Sequence, residues 1–207
     1  NDSEGKLNFP EELKDGPEMV LRGACVGLQK MTYLPGHGVY EYPYTPESFP
    51  WFYDKEQWIK YLDMLVANRM NSLYLWNGHP FASLVKLEDY PFALEVDEET
   101  FKKNEEMFSF LTEEADKRGI FVIQMFYNII LSKPFAEHYG LKTQDRNRPI
   151  TPLIADYTRK SIAAFIEKYP NVGLLVCLGE AMCTVEDDVE WFTKTIIPGV
   201  KDGLQAL

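Results

Sequence analysis

Positive charge is in short supply in this chain. Its 21 Lys and Arg residues face 32 Asp and Glu, leaving a formal net charge of −11 and a pI near 4.8. Phosphate backbones and anionic membranes are held by clustered Lys and Arg, so nucleic acid is excluded as a partner. Cysteine is scarce too. Cys25, Cys177 and Cys183 are an odd number without framework spacing, which excludes a disulfide scaffold. No Cys or His residues stand at close ligand spacing, and His37 and His79 are too far apart for a paired-His centre, so neither metal nor cofactor is expected. No apolar run approaches the length that spans a bilayer. Neither Gly-rich phosphate-binding signature follows the first apolar run, and no Gly-x-Ser-x-Gly elbow occurs. Cys183 lacks a flanking His of thiol-enzyme type.

The chain does have aromatics, at 14% of residues, and a repeated pattern. Residues 1–20 are polar, acidic and punctuated by Pro and Gly, and we expect them to be a linker or the tail of an upstream domain. From residue 21 to 207, an apolar run is followed by an amphipathic stretch four times. The runs are 21–29, 72–76, 120–126 and 172–180. Asp54 can cap a first helix whose inward stripe is Trp58, Leu62, Leu65 and Val66. Phe101, Phe108, Leu111 and Ala115 mark a second helix, with Gly119 as its stop. A third runs from about Pro152 to Lys168. Thr184 can cap a fourth, with Val189, Phe192 and Ile196 inward and Pro198-Gly199 ending or bending it. Cys25 and Cys177, inside apolar runs, read as small buried residues.

Continuous apolar strands alternating with amphipathic helices specify an α/β fold with a parallel sheet. The loops after the strands are long and those after the helices short, so variation gathers at the strands' C-terminal ends, where barrels carry their sites. Four βα units cannot close a (β/α)₈ barrel, which needs roughly 200–250 residues or more. Continuation beyond Leu207, pairing with a second copy and an open sheet are the alternatives; we expect the first, the N-terminal half of such a barrel with the remaining half of the barrel as its partner.

Chemistry is sought at the strand ends. Glu180 follows an uncharged strand, and a carboxylate at that tip points into a barrel mouth, where partial burial suits a general acid. The alternative is a helix-cap or salt-bridge Glu. Glycoside cleavage normally takes two carboxylates, and the other strand ends supply none, so the second is expected on a later strand. Asn77 and His79 flank the second strand's mouth beside Trp76. They suit a sugar, whose hydroxyls bond polar groups and whose C–H face stacks on a ring. The alternative is turn chemistry, with His79 packed under the loop. Tyr127 and Asn128 end the third strand, and Gln29 and Lys30 the first; all four are candidate sugar contacts. Tyr33, His37, Tyr40, Tyr42, Tyr44, Trp51 and Tyr53 crowd the first loop, either to wall a groove or to pack it.

Pro17-Glu18-Met19 followed by Leu21-Arg22-Gly23 resembles the entry into catalytic barrels that carry a small upstream α/β domain. The run from Trp58 through Asn68-Arg69-Met70-Asn71-Ser72-Leu73-Tyr74-Leu75-Trp76-Asn77-Gly78-His79-Pro80-Phe81 resembles barrels of the α-glucuronidase, α-galacturonidase and β-hexosaminidase-like type, including endo-acting families of gut Bacteroidetes such as glycoside hydrolase family 163. Glu180 matches the acid that such enzymes keep after the fourth strand, although the common Asn-Glu or Asp-Glu pair is Gly179-Glu180 here. The resemblance implies a glycosidase acting by acid/base catalysis on an oligo- or polysaccharide, with uronic acid and N-acetylated sugars among the candidate units. It also implies a secreted, periplasmic or cell-surface location. A non-catalytic carbohydrate-binding or scaffold module derived from a barrel is the alternative.

Overall fold

A computed structural model describes residues 15–29, 43–127, 130–145, 147–178, 182 and 184–207. Strand β1 (Gly23–Gly27) is followed by a 3-10 turn at Pro50–Tyr53 and helix α1 (Lys55–Ala67). Strand β2 (Ser72–Trp76) leads through short α2 (Phe81–Leu84) to α3 (Glu98–Asp116). Strand β3 (Phe121–Tyr127) leads through short α4 (Lys133–His138) to α5 (Pro152–Lys168). Strand β4 (Val172–Cys177) precedes α6 (Val185–Trp191), a π-helical turn (Phe192–Ile196) and α7 (Ile197–Gln205).

The local signals act as expected at the helix starts. The side chains of Asp54, Asp97, Thr151 and Thr184 each accept a hydrogen bond from a backbone N–H in the first turn. Gly119 takes φ +68 beyond α3, and Ile120 N donates to Ala115 O at 2.9 Å, closing the helix end.

The four strands form one parallel sheet in the order β1-β2-β3-β4. Cys25 pairs with Tyr74, Tyr74 with Ile123, and Ile123 with Gly173, so these residues share one face. On the other face, Leu73, Leu75, Val122 and Phe126 are buried under the helices together with Leu62, Leu65, Phe108, Leu111 and Phe165. Each such side chain contributes about 1.5–3 kcal/mol through burial. Gln124 is the polar exception on that face: Nε2 donates to Leu75 O at 3.0 Å, and Oε1 accepts from Tyr44 at 3.4 Å.

The first face is left open. Phe121 and Leu175 are exposed there, and so is Cys25. Cys177 is half-buried. The burial expected of these two cysteines is therefore corrected, because both lie on the side where Phe121 and Leu175 are also exposed. At the β1 edge, Val26, Trp51, Gln57, Trp58 and Tyr61 line an apolar cavity of about 260 Å³.

Val66, Val189 and Phe192 also depart from expectation, since all three are exposed. Around the π turn, the buried stripe is Trp191, Thr195, Ile196, Gly199 and Gly203. A π turn adds a residue per turn and shifts the inward register. Pro198, which lacks an N–H, follows it without ending the helix. Gly199 and Gly203 let α7 lie directly on α5. A Cβ on Gly203 would stand 2.6 Å from Ala163 O and 2.7 Å from Ile166 Cβ.

Two outcomes follow from this packing. In an open helix, Gly→Ala gains about 1 kcal/mol of propensity. Here the sign reverses: Gly203→Ala is expected to cost about 1–3 kcal/mol through overpacking, read by urea denaturation, and a stabilised variant would refute the close approach. The uncovered sheet face makes the 207-residue chain self-associate when produced alone; a monodisperse monomer by light scattering would contradict that.

Candidate functional site

The C-terminal ends of the strands form a rim on the open side. Trp76, the last residue of β2, is half-buried. Its ring meets Tyr127 edge-on, with centroids 5.7 Å apart. Tyr127 ends β3 and packs with Ile130 and Met182, so residues of three successive strand–loop units meet here. The Trp76 Nε1–H is occluded and has no acceptor among the described residues. Beside it, Gln29 extends β1 beyond Gly27, and its Oε1 is likewise occluded without a donor among them. The alternation of the strand places Gln29 on the same side as Gly27 and Trp76, which are paired in register.

Asn77 and His79 are held differently. Asn77 is buried; its Nδ2 donates to Leu28 O at 2.6 Å, and its Oδ1 accepts from His79 N at 2.8 Å. The His79 ring lies 2.8 Å from the Tyr157 hydroxyl and edge-on to Phe81. Burial pushes its pKa down to about 3, so the imidazole is neutral. Tyr157 in turn stacks on Phe135 of α4, at 3.9 Å between centroids. The structure thus shows turn chemistry at Asn77 and a packed histidine at His79. The polar groups expected to meet a sugar are engaged inside the turn, in the manner of the alternative reading.

Lys30, Asn128 and Glu180 lie outside the described residues, as do Tyr33, His37, Tyr40, Tyr42 and Cys183. Of the first-loop aromatics that are described, Tyr44 is fully buried against Phe49 and Phe52. Tyr53 donates to Asn104 Oδ1 at 2.5 Å. These two pack the loop, while Trp51 lines the cavity at the β1 edge.

Two buried polar residues were not legible in the sequence. Asn104, midway along α3, donates to Tyr44 O at 2.9 Å and Ser83 O at 3.0 Å, fastening the first loop and short α2 to α3. Arg148, in the excursion between β3 and α5, is 8% exposed and donates to Lys142 O. Among the described residues its Nε has no acceptor, and the Asp145 carboxylate acts on it only through its charge. Burial lowers its pKa from the usual arginine value. An Arg in a polar loop ordinarily reads as solvated, so no pattern singled it out. Among the described residues, no group of three His, Cys, Asp or Glu is placed to hold a metal, and no helix is long and apolar enough to cross a membrane.

No family model and no curated protein matches the chain. Among solved structures, it is similar to a GH138 enzyme targeting pectin rhamnogalacturonan II, at 89% identity and a TM-score of 0.88 over 92% of this chain. The chain spans only 22% of the length of that structure. A family 20 β-N-acetylglucosaminidase is similar at 13% identity and a TM-score of 0.54, covering 91% of this chain and 42% of the other, which speaks to the fold alone. The resemblance to barrel glycoside hydrolases is borne out, and so is the four-unit half barrel.

The buried histidine generates a prediction. Its folded pKa, about 3, lies below the ordinary 6.5, so the unfolded chain binds the extra proton between these values. Stability is then lost as pH falls from about 6.5 towards 3, with a slope that approaches about 1.4 kcal/mol per pH unit from this group. Denaturation midpoints of the native chain and His79→Gln across that window should show the steeper slope in the native chain; parallel curves would contradict it.

Proposed function

We propose that this chain supplies the first four strand–helix units of a glycoside hydrolase barrel of the family 138 kind, which cleaves a glycosidic bond in a pectic or related polysaccharide. The observation that carries this reading is the 89% identity to a GH138 enzyme targeting pectin rhamnogalacturonan II, over nearly the whole chain. The rim agrees with it. Trp76 and Tyr127 offer an aromatic platform, Gln29 an acceptor and the Trp76 indole a donor, the complement of a sugar ring and its hydroxyls. Lys30 follows β1 by three residues in sequence and Asn128 follows β3 directly, and both are proposed as further sugar contacts.

Glu180 is the proposed general acid. In sequence it follows the end of β4 by three residues. As the acid it would hand its proton to the glycosidic oxygen as the bond to the anomeric carbon breaks, while a second carboxylate from a later strand acts on the opposite face of the sugar. Arg148 supports an acidic sugar as the substrate: among the described residues its shielded guanidinium has only the more distant Asp145 to offset the cost of burial, and an anion would offset more of it. The remaining half of the barrel would cover the open sheet face and the cavity at the β1 edge. A secreted, periplasmic or cell-surface location suits a polysaccharide substrate.

The test is cleavage of a glycan panel that includes rhamnogalacturonan II, by a polypeptide long enough to hold the complete barrel. Glu180→Gln is expected to lower kcat by about 10²–10⁴-fold, the range of general acid–base catalysis. Retained cleavage would move the acid elsewhere. Sugar binding without turnover, by native and variant alike, would favour the binding module.

A further inference from the structure

We infer that Asn77 is a positioning residue: its side chain clasps the ends of β1 and β2 together, so that Gln29 and Trp76 are aimed as one unit into the mouth of the barrel. The inference rests on the reading of that mouth as the sugar site. It gives Asn77 and His79 a role that neither a direct sugar contact nor a bare turn describes.

The geometry is local and closed. The backbone of Leu28 is gripped from both sides by consecutive residues of the neighbouring strand. Its N–H donates to Trp76 O at 2.7 Å, and its carbonyl accepts from Asn77 Nδ2 at 2.6 Å. The regular ladder between β1 and β2 ends at the Gly27–Trp76 pair. One residue further on, a side chain replaces the backbone as the donor and extends the pairing to Leu28. The next residue is Gln29, and the residue before Asn77 is Trp76. The two unpartnered polar atoms of the rim therefore flank the two residues that the clasp joins.

The clasp is itself held. Asn77 Oδ1 accepts from His79 N, and the His79 ring is fixed by the Tyr157 hydroxyl near the start of α5. Tyr127 N donates to Gly78 O at 2.9 Å, tying the same turn to the end of β3. The Asn77–His79 turn thus joins three strand ends and one helix start. An amide serves this task because it donates from one end and accepts at the other. An apolar side chain at position 77 would leave Leu28 O and His79 N–H buried without partners.

The experiment uses a polypeptide carrying the complete barrel and reads two things. The first needs no activity. In Asn77→Ala, amide hydrogen exchange at residues 28–29 and 76–79 is expected to accelerate at least tenfold, while the centre of β2 stays protected. Unchanged exchange overturns the inference whatever the enzyme does. The second is a double-mutant cycle on a glycan that the native enzyme cleaves. Asn77→Ala is expected to raise KM at least tenfold, with kcat changing less. In a Gln29→Ala, Trp76→Phe background, the same change should raise KM by no more than about twofold, since the groups it positions are gone. Equal, multiplying effects in both backgrounds would show a merely structural role and overturn it. Asn77→Asp, which keeps the acceptor for His79 N and removes the donor to Leu28 O, replaces the alanine variant if that one does not fold. A native protein that cleaves and binds no glycan defeats the proposed function, and the exchange measurement then still decides whether the clasp exists.

Discussion

A parallel sheet presents apolar side chains on both faces, and both must be covered. Right-handed crossovers between strands added in one direction, as in the order β1-β2-β3-β4, put every helix on one side. In this chain that side is complete. Leu73, Leu75, Val122 and Phe126 lie under α1, α3 and α5, and α7 closes onto α5 through Gly199 and Gly203. The other side leaves Phe121, Leu175 and Cys25 exposed. A doubly wound sheet would send helices there. A barrel curls the sheet so that the open face covers itself, which takes more strands than the four among the described residues. The one-sided cover therefore selects the half-barrel architecture, and the match to 22% of a longer enzyme agrees with it.

The same constraint explains what could be read from the sequence. Strand β2 and helix α5 fall where the apolar runs and Pro152 place them, because burial on one face and a cap at one end are local signals. Asp54 and Thr184 cap as expected for the same reason. Val189 and Phe192 fail because a helical stripe was drawn through large apolar residues, whereas the contact between α7 and α5 is made by glycines. Close approach leaves no hydrophobic signature in a sequence. The cysteines fail because a strand run shows that a residue is apolar, not which face of the sheet is covered.

At the rim, residue types were legible and their partners were not. Trp76 and Tyr127 meet as neighbours because strand ends converge, which order alone implies. Asn77 and His79 looked like free polar groups beside an aromatic. A short turn carries no sign of whether its polar side chains face out to solvent or back onto a carbonyl 49 residues away. Arg148 was missed for the converse reason, since nothing near it in sequence announces that it is buried.

The polar groups of the rim divide into two sets, and the division runs along the direction of access. Beneath the rim, Leu28 O, Asn77, His79 and Tyr157 form a linked series of buried hydrogen bonds. Such a series tolerates little displacement, because each broken link leaves a buried group unsatisfied at about 1–3 kcal/mol. Purely apolar packing at the same place would let the strand ends slide without that penalty. Above the series, on the open side, Gln29 Oε1 and Trp76 Nε1 are an acceptor and a donor without partners among the described residues. Two neutral groups of opposite sense, held on a rigid base beside an aromatic ring, lack what a hydroxyl supplies, since it both donates and accepts. The satisfied layer gives the mouth its fixed shape, and the unsatisfied layer leaves it something to bind.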